Sequence, residues 1–131
     1  MHTQYASIQR MQLTFVQLSR FALRWVQLKL TDDDLQALEQ MLLRNPEAGA
    51  VVSGTGGLRK TRFAPPSRHT GKSGALRIGY AYIRVASAIY LLAVFPKNEQ
   101  ANLTAAEKAE LRKIVDIIRR ASQETSKGDE Q

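Results

Sequence analysis

Ala75-Leu76-Arg77-Ile78-Gly79-Tyr80-Ala81-Tyr82-Ile83-Arg84-Val85 is the stretch on which the fold turns. Its alternation puts Arg77, Gly79, Ala81 and Ile83 on one side and Ile78, Tyr80, Tyr82 and Arg84 on the other, the period of a β-strand. Upstream, Gly54 to Gly57 reads as a turn, followed by a strand from Leu58 to Ala64. In that strand Leu58, Lys60 and Arg62 share one side, and Arg59, Thr61 and Phe63 the other. Pro65 to Gly74 is a loop by composition. Downstream, a short turn near Ala86-Ser87 leads to Ala88 to Phe95, so uniformly apolar that it reads as a central strand buried on both faces. Three such strands in succession predict a meander.

Charge is concentrated in the same region. No Asp or Glu occurs between Glu47 and Glu99, while eight basic residues do: Arg59, Lys60, Arg62, Arg68, Lys72, Arg77, Arg84 and Lys97. The whole chain carries +7, so the flanks nearly cancel and the excess sits here. A segment this basic calls for a polyanionic partner, with nucleic acid first in line. Lys60 and Arg62 share a side, Arg77 lies on a nearby strand, and Lys97 falls just past the buried one. If the strands are neighbours, the four converge on one concave face able to hold phosphate. Arg59, Arg68, His69, Lys72 and Phe95 are the flanking residues expected to contact the nucleic acid. One of the nearby aromatics, Tyr80, Tyr82, Tyr90 or Phe95, could stack on a base, the rest being core.

Outside this centre the patterns change. Leu13 and Phe15 alternate with Thr14 and Val16, a strand over Gln12 to Leu18. Ser19 is placed to cap a short helix with Phe21, Trp25 and Leu28 in one stripe. Thr31-Asp32-Asp33-Asp34 opens a second helix, with Leu30 and Leu35 at staple positions and Leu35, Leu38 and Leu42 as its apolar stripe. Consecutive acids on a helix point apart, so the Asp triplet reads as a cap and not as a metal site. Asn45-Pro46 ends the helix. Near the end, Thr104 and Glu107 form a capping box, and Leu111, Ile114, Val115 and Ile118 a stripe. The order is strand, helix, helix, three strands, helix. That predicts an α+β fold: an antiparallel-rich sheet of about four strands, two N-terminal helices and one C-terminal helix, with the helices mostly on one face.

A length of 131 residues suits one domain. Residues 1–10 are expected to be a flexible leader, with Met11 as an alternative start, 11–121 the domain, and 122–131 a disordered polar tail. With no cysteine, disulfide and thiolate chemistry are excluded. No apolar run reaches the roughly 20 residues of a membrane helix, and Met1 to Arg10 lacks the apolar core of a secretory signal. A cytoplasmic protein without membrane partners is the expectation.

Two phosphate-loop signatures fail. Gly71-Lys72-Ser73 resembles the end of a Walker loop, but the first glycine position holds Pro66, and a strand follows where a helix is required. Gly54-Thr55-Gly56-Gly57 misses the dinucleotide fingerprint, since Arg59 stands at the last glycine position. His69 is a loop histidine without a partner at metal-ligand spacing, and no metal site is expected.

Three segments carry a resemblance. They are Gly54-Thr55-Gly56-Gly57-Leu58-Arg59-Lys60-Thr61-Arg62, then Gly71-Lys72-Ser73-Gly74-Ala75-Leu76-Arg77-Ile78-Gly79-Tyr80, and then Ile89-Tyr90-Leu91-Leu92-Ala93-Val94-Phe95-Pro96-Lys97-Asn98-Glu99, followed by Leu103-Thr104. In order and spacing they resemble the HigB branch of the RelE superfamily, toxins of bacterial type II toxin–antitoxin pairs, over about residues 11–121. The resemblance implies the small RelE-like α+β fold. It implies a metal-independent mRNA endonuclease (an mRNA interferase) acting on the translating ribosome by attack of a ribose 2′-OH on the adjacent phosphate. It implies no cofactor. The family's basic strand positions fall on Lys60 and Arg62, its arginine after the glycine-rich loop on Arg77, and its basic residue after the last strand on Lys97. The implied partner is a helix-turn-helix antitoxin, HigA-like, through which alone the toxin meets operator DNA. Many relatives have tyrosine where this chain has Phe95, and some have one on the last helix; this chain has neither hydroxyl. A ParE-like gyrase inhibitor and a non-catalytic nucleic-acid-binding module are the rival readings on the same fold.

Overall fold

The computed structural model describes residues 2–8, 11–68, 75–96 and 103–129, with side chains for 12–68, 75–96 and 103–123. In chain order the elements are β1 (His2–Ile8), β2 (Met11–Gln17), α1 (Ser19–Gln27), α2 (Asp32–Arg44), β3 (Ala50–Val51), β4 (Arg59–Phe63), β5 (Leu76–Ile83), β6 (Ala88–Pro96) and α3 (Ala105–Asp129). One mixed sheet runs β1-β2-β6-β5-β4-β3. β3 is only two residues, so five full strands carry the sheet. β4, β5 and β6 form the predicted antiparallel meander, β1 pairs antiparallel with β2, and β2 runs parallel to β6.

Alternation in the strands becomes two cores. Phe63, Leu76, Ile78, Tyr80, Ile89, Leu91 and Val94 face one way and meet Phe21 and Trp25 of α1 and Leu35, Leu38 and Leu42 of α2. Leu58, Ala81, Ile83 and Leu92 face the other way and meet Leu111 and Val115 of α3. Burying each large side chain contributes about 1.5–3 kcal/mol, so both layers are needed to hold the sheet. The expectation of helices mostly on one face is thus corrected: α1 and α2 cover one side and α3 the other. An amphipathic stripe says which side of a helix is buried, but not against which face of a sheet.

The helix signals are realised with one exception. Asp34 N–H donates to Thr31 Oγ1 at 3.0 Å, and Thr31 N–H to an Asp34 carboxylate oxygen at 2.9 Å, the reciprocal cap of α2. Thr104 and Glu107 do the same before α3. At α1, however, Leu18 holds the cap position without a side-chain bond, and Ser19 is already helical. α1 ends with Lys29 in the left-handed region (φ 61°), Leu30 N–H reaching Trp25 O at 3.1 Å.

Both ends of the described chain carry secondary structure. His2–Ile8, expected as a flexible leader, lies along β2 in continuous antiparallel register from His2↔Gln17 to Ile8↔Met11. Strand pairing draws on backbone groups that every residue carries, so this segment needs no apolar period to join an edge. Helix α3 likewise continues through Asp129, into the expected tail.

Candidate functional site

The parity of three strands builds the site. Lys60 stands opposite Gly79, and Gly79 opposite Ala93. One rung along, Arg62 stands opposite Arg77, and Arg77 opposite Phe95. Directly paired residues share a face, and rungs two residues apart are about 7 Å from each other. Lys60, Arg62, Arg77 and Phe95 therefore occupy one face of the sheet, the face that α3 covers only further along.

Small residues shape the floor. Gly79 and Ala93 leave a depression over which Lys60 extends, its Nζ 5.8 Å from the centre of the Phe95 ring. A Cβ on Gly79 would sit 3.4 Å from Ala93 Cβ and 3.7 Å from Leu58 Cδ1. Beside this floor is an open groove of about 230 Å³, lined by Ala50, Val51, Val52, Lys60, Thr61, Arg62 and Arg77. Arg77 is half-buried, and its Nη1 is shielded from solvent without a hydrogen-bond partner among the described residues. An orphaned guanidinium N–H costs about 1–3 kcal/mol and is relieved by an incoming anion, which suits a phosphate oxygen.

The groove wall is held from the opposite face. Arg59 pairs with Tyr80 there. Its Nη1 donates to Gly49 O at 2.7 Å and to Glu47 O at 3.1 Å. Tyr80 Oη donates to Pro46 O at 2.8 Å and accepts from Gly49 N–H at 3.0 Å. Burial raises the Tyr80 hydroxyl above its ordinary pKa, with smaller opposing effects from the Gly49 N–H and Arg59. Gly49 fits because a Cβ would lie 3.0 Å from both Lys60 O and the Tyr80 ring. The Gly54–Gly57 turn is likewise structural. Thr55 Oγ1 accepts from Leu58 N–H at 3.1 Å, and a Cβ at Gly57 would lie 2.6 Å from Arg119 Nη2, under α3.

Of the residues marked in the sequence, Lys60, Arg62, Arg77 and Phe95 come together. Arg59 does not join them; it braces the loop before β3. Arg68 is also elsewhere, its Nη2 donating to Leu28 O at 2.8 Å beyond the end of α1. Lys97, His69 and Lys72 lie outside the described residues. Sequence reasoning missed the wall, Ala50 to Val52; its only local signal was Gly49. Tyr80 and Tyr82 pack on the α1–α2 side and Tyr90 on the α3 side, so none joins Phe95 in the two rungs. Among the described residues no three His, Cys, Asp or Glu side chains gather as a metal site, and no helix is long and apolar enough to cross a membrane.

A basic rung pair on a mixed sheet of five full strands, with helices on both faces, defines a small α+β protein with a cationic groove. A family model for the RelE toxin of the RelE / RelB toxin-antitoxin system matches residues 16–127, from within β2 to within α3. The chain belongs to this family of toxins, whose members pair with an antitoxin.

Proposed function

We propose that this toxin is an mRNA endoribonuclease of the HigB branch, cleaving message on the translating ribosome in the cytoplasm and so inhibiting translation. The observation that carries this reading is the convergence of Lys60, Arg62 and Arg77 on one groove, with a guanidinium nitrogen of Arg77 unpaired among the described residues. In the reaction a ribose 2′-oxygen bonds to the adjacent phosphorus as its proton leaves, and the bond from phosphorus to the 5′-oxygen breaks. The products are a 2′,3′-cyclic phosphate and a 5′-hydroxyl. Arg77, with Lys97 as the fourth cation, stabilises the charge that develops on the phosphorane-like transition state. Lys60 or Arg62 orients the phosphate or assists proton transfer. Phe95 offers an aromatic surface to a base, partly shared with Lys60. The antitoxin is a HigA-like helix-turn-helix protein that also carries the pair to operator DNA.

The lack of a tyrosine on the two rungs favours a second reading, nucleic-acid binding without cleavage. A ParE-like gyrase poison is the third, and the clustered cations argue against it. Brief induction followed by mapping of mRNA 5′ ends, with and without translation, separates them. Translation-dependent new ends, lost in Arg77→Ala and Lys60→Ala, are expected. Growth arrest without new ends would overturn the nuclease reading, and DNA damage signalling in its place would point to gyrase.

A further inference from the structure

Asp34 does more than cap α2. It is 0% exposed, and its carboxylate accepts three bonds: from Thr31 N–H at 2.9 Å, from Ser67 N–H at 2.9 Å and from the Ser67 hydroxyl. The box at Thr104 and Glu107 closes the same two cap bonds at an exposed helix end, so capping by itself does not call for a carboxylate shielded from water. Such a group is stable only when donors satisfy its oxygens, and Ser67, 33 residues along the chain, supplies two of the three.

The same junction grips the chain on either side of Ser67. Phe63 stacks on Trp25 with ring centres 6.4 Å apart, and Arg68 Nη2 donates to Leu28 O at 2.8 Å. Trp25 Nε1 in turn donates to Thr31 O at 3.1 Å. The stretch that leaves β4 is thus fastened at Phe63, Ser67 and Arg68 to the turn between α1 and α2, on the side of the sheet away from the groove. Just before it stands the Arg62–Arg77 rung, and only Phe63 opposite Leu76 follows that rung in the β4–β5 ladder. Like charges facing each other so near a ladder end push it open.

We propose that Asp34 and Ser67 are positioning residues for the groove: their clamp holds the end of β4 against this repulsion and keeps Arg62 in register with Arg77. Both act through the backbone of β4. Cations held in place beforehand need less ordering when an anion arrives, which strengthens its binding. The clamp on the ladder stands apart from the nuclease reading; that the anion is an RNA phosphate rests on it.

Three variants separate clamp from cap. Thr31→Ala breaks the cap and leaves both Ser67 bonds. Ser67→Ala, at an exposed position, removes the hydroxyl bond and leaves the cap. Asp34→Glu keeps the charge and a residue suited to the box, while its extra methylene carries the carboxylate off Ser67. On the full chain, amide hydrogen exchange is read at Thr61–Phe63 and Leu76–Ile78, and affinity is read with a short 2′-O-methyl RNA, which lacks the attacking hydroxyl. In Ser67→Ala and Asp34→Glu these amides are expected to exchange about tenfold faster, and the RNA to bind about three- to tenfold more weakly. Thr31→Ala should keep the wild-type values of both. Wild-type exchange or wild-type affinity in both clamp variants, or equal changes in Thr31→Ala, overturns the proposal. Faster exchange in the clamp variants of a chain that takes up no RNA even as wild type upholds the clamp and removes the nuclease reading alone.

Discussion

Arg62 and Arg77 stand directly opposite one another on adjacent antiparallel strands, on the same face of the sheet. Like charges in such a pair destabilise a sheet by a few tenths to about 1 kcal/mol, and an anion between them reverses the sign. Arg62→Ala is therefore expected to melt at or above the wild-type temperature in phosphate-free buffer. Adding inorganic phosphate should raise the wild-type midpoint and leave the variant nearly unmoved. Thermal denaturation with and without phosphate checks both.

Binding to single-stranded RNA should report the number of cations in the groove. Each phosphate contact on a single strand contributes about −0.7 to the log–log dependence of affinity on salt, so three contacts give a slope near −2. Arg77→Ala should flatten that slope by about 0.7. Arg59→Ala and Arg68→Ala should keep it, because those guanidinium groups are spent on backbone carbonyls of Gly49, Glu47 and Leu28. A titration series in potassium chloride distinguishes the two groups.

Tyr80→Phe would strand two buried groups at once, Pro46 O and Gly49 N–H. The expected cost is about 1–3 kcal/mol, read as a lower urea midpoint at unchanged slope. Because Tyr80 faces α1 and α2, the pH profile of any RNA cleavage should keep its shape in this variant.

Glu39 on α2 is 1% exposed, and its Oε2 lacks a hydrogen-bond partner among the described residues. Burial pushes its carboxyl up to about 7. The folded state then holds a proton that the unfolded chain releases nearer pH 4.5. Stability is thus expected to fall as pH rises from about 4.5 through 7, by about 3 kcal/mol at most. Glu39→Gln should remove that slope and raise the midpoint at pH 8 while changing little at pH 5. Urea unfolding across this range decides the matter.

Much of this was legible because the strand period is a local property. Alternation alone put Lys60 with Arg62 and Arg77 with Gly79, the register then joined the two pairs on one face, and the apolar run at Ala88 marked the central strand. Two helix boundaries were equally local, since a capping box is closed within four residues. What escaped depended on partners far along the chain. Arg59 and Arg68 look like any other cation until the carbonyls of Gly49 and Leu28 arrive beside them. Asp34 is a cap, but its carboxylate also accepts from the backbone and hydroxyl of Ser67, fastening the loop after β4 to α2. Burial would raise the Asp34 pKa; the bonds from Ser67 and Thr31 outweigh it and hold the carboxyl below its usual range. Which sheet face α3 takes, and that β1 pairs at all, are also decided by distant neighbours.

The parallel pairing of β2 with β6 sets the order in which this toxin can assemble. Thr14 lies beside Ala88 and Gln17 beside Leu91, so the sheet joins a segment to one synthesised much later. Such non-local closure is slow, and a chain emerges from the ribosome N-terminus first. Leu13 and Phe15 have no Ile89 or Leu91 to pack against until β6 has been made. Nascent chains that stop before Ala88 are expected to show no cooperative melting by circular dichroism, so the basic face is not presented until β6 has closed the sheet.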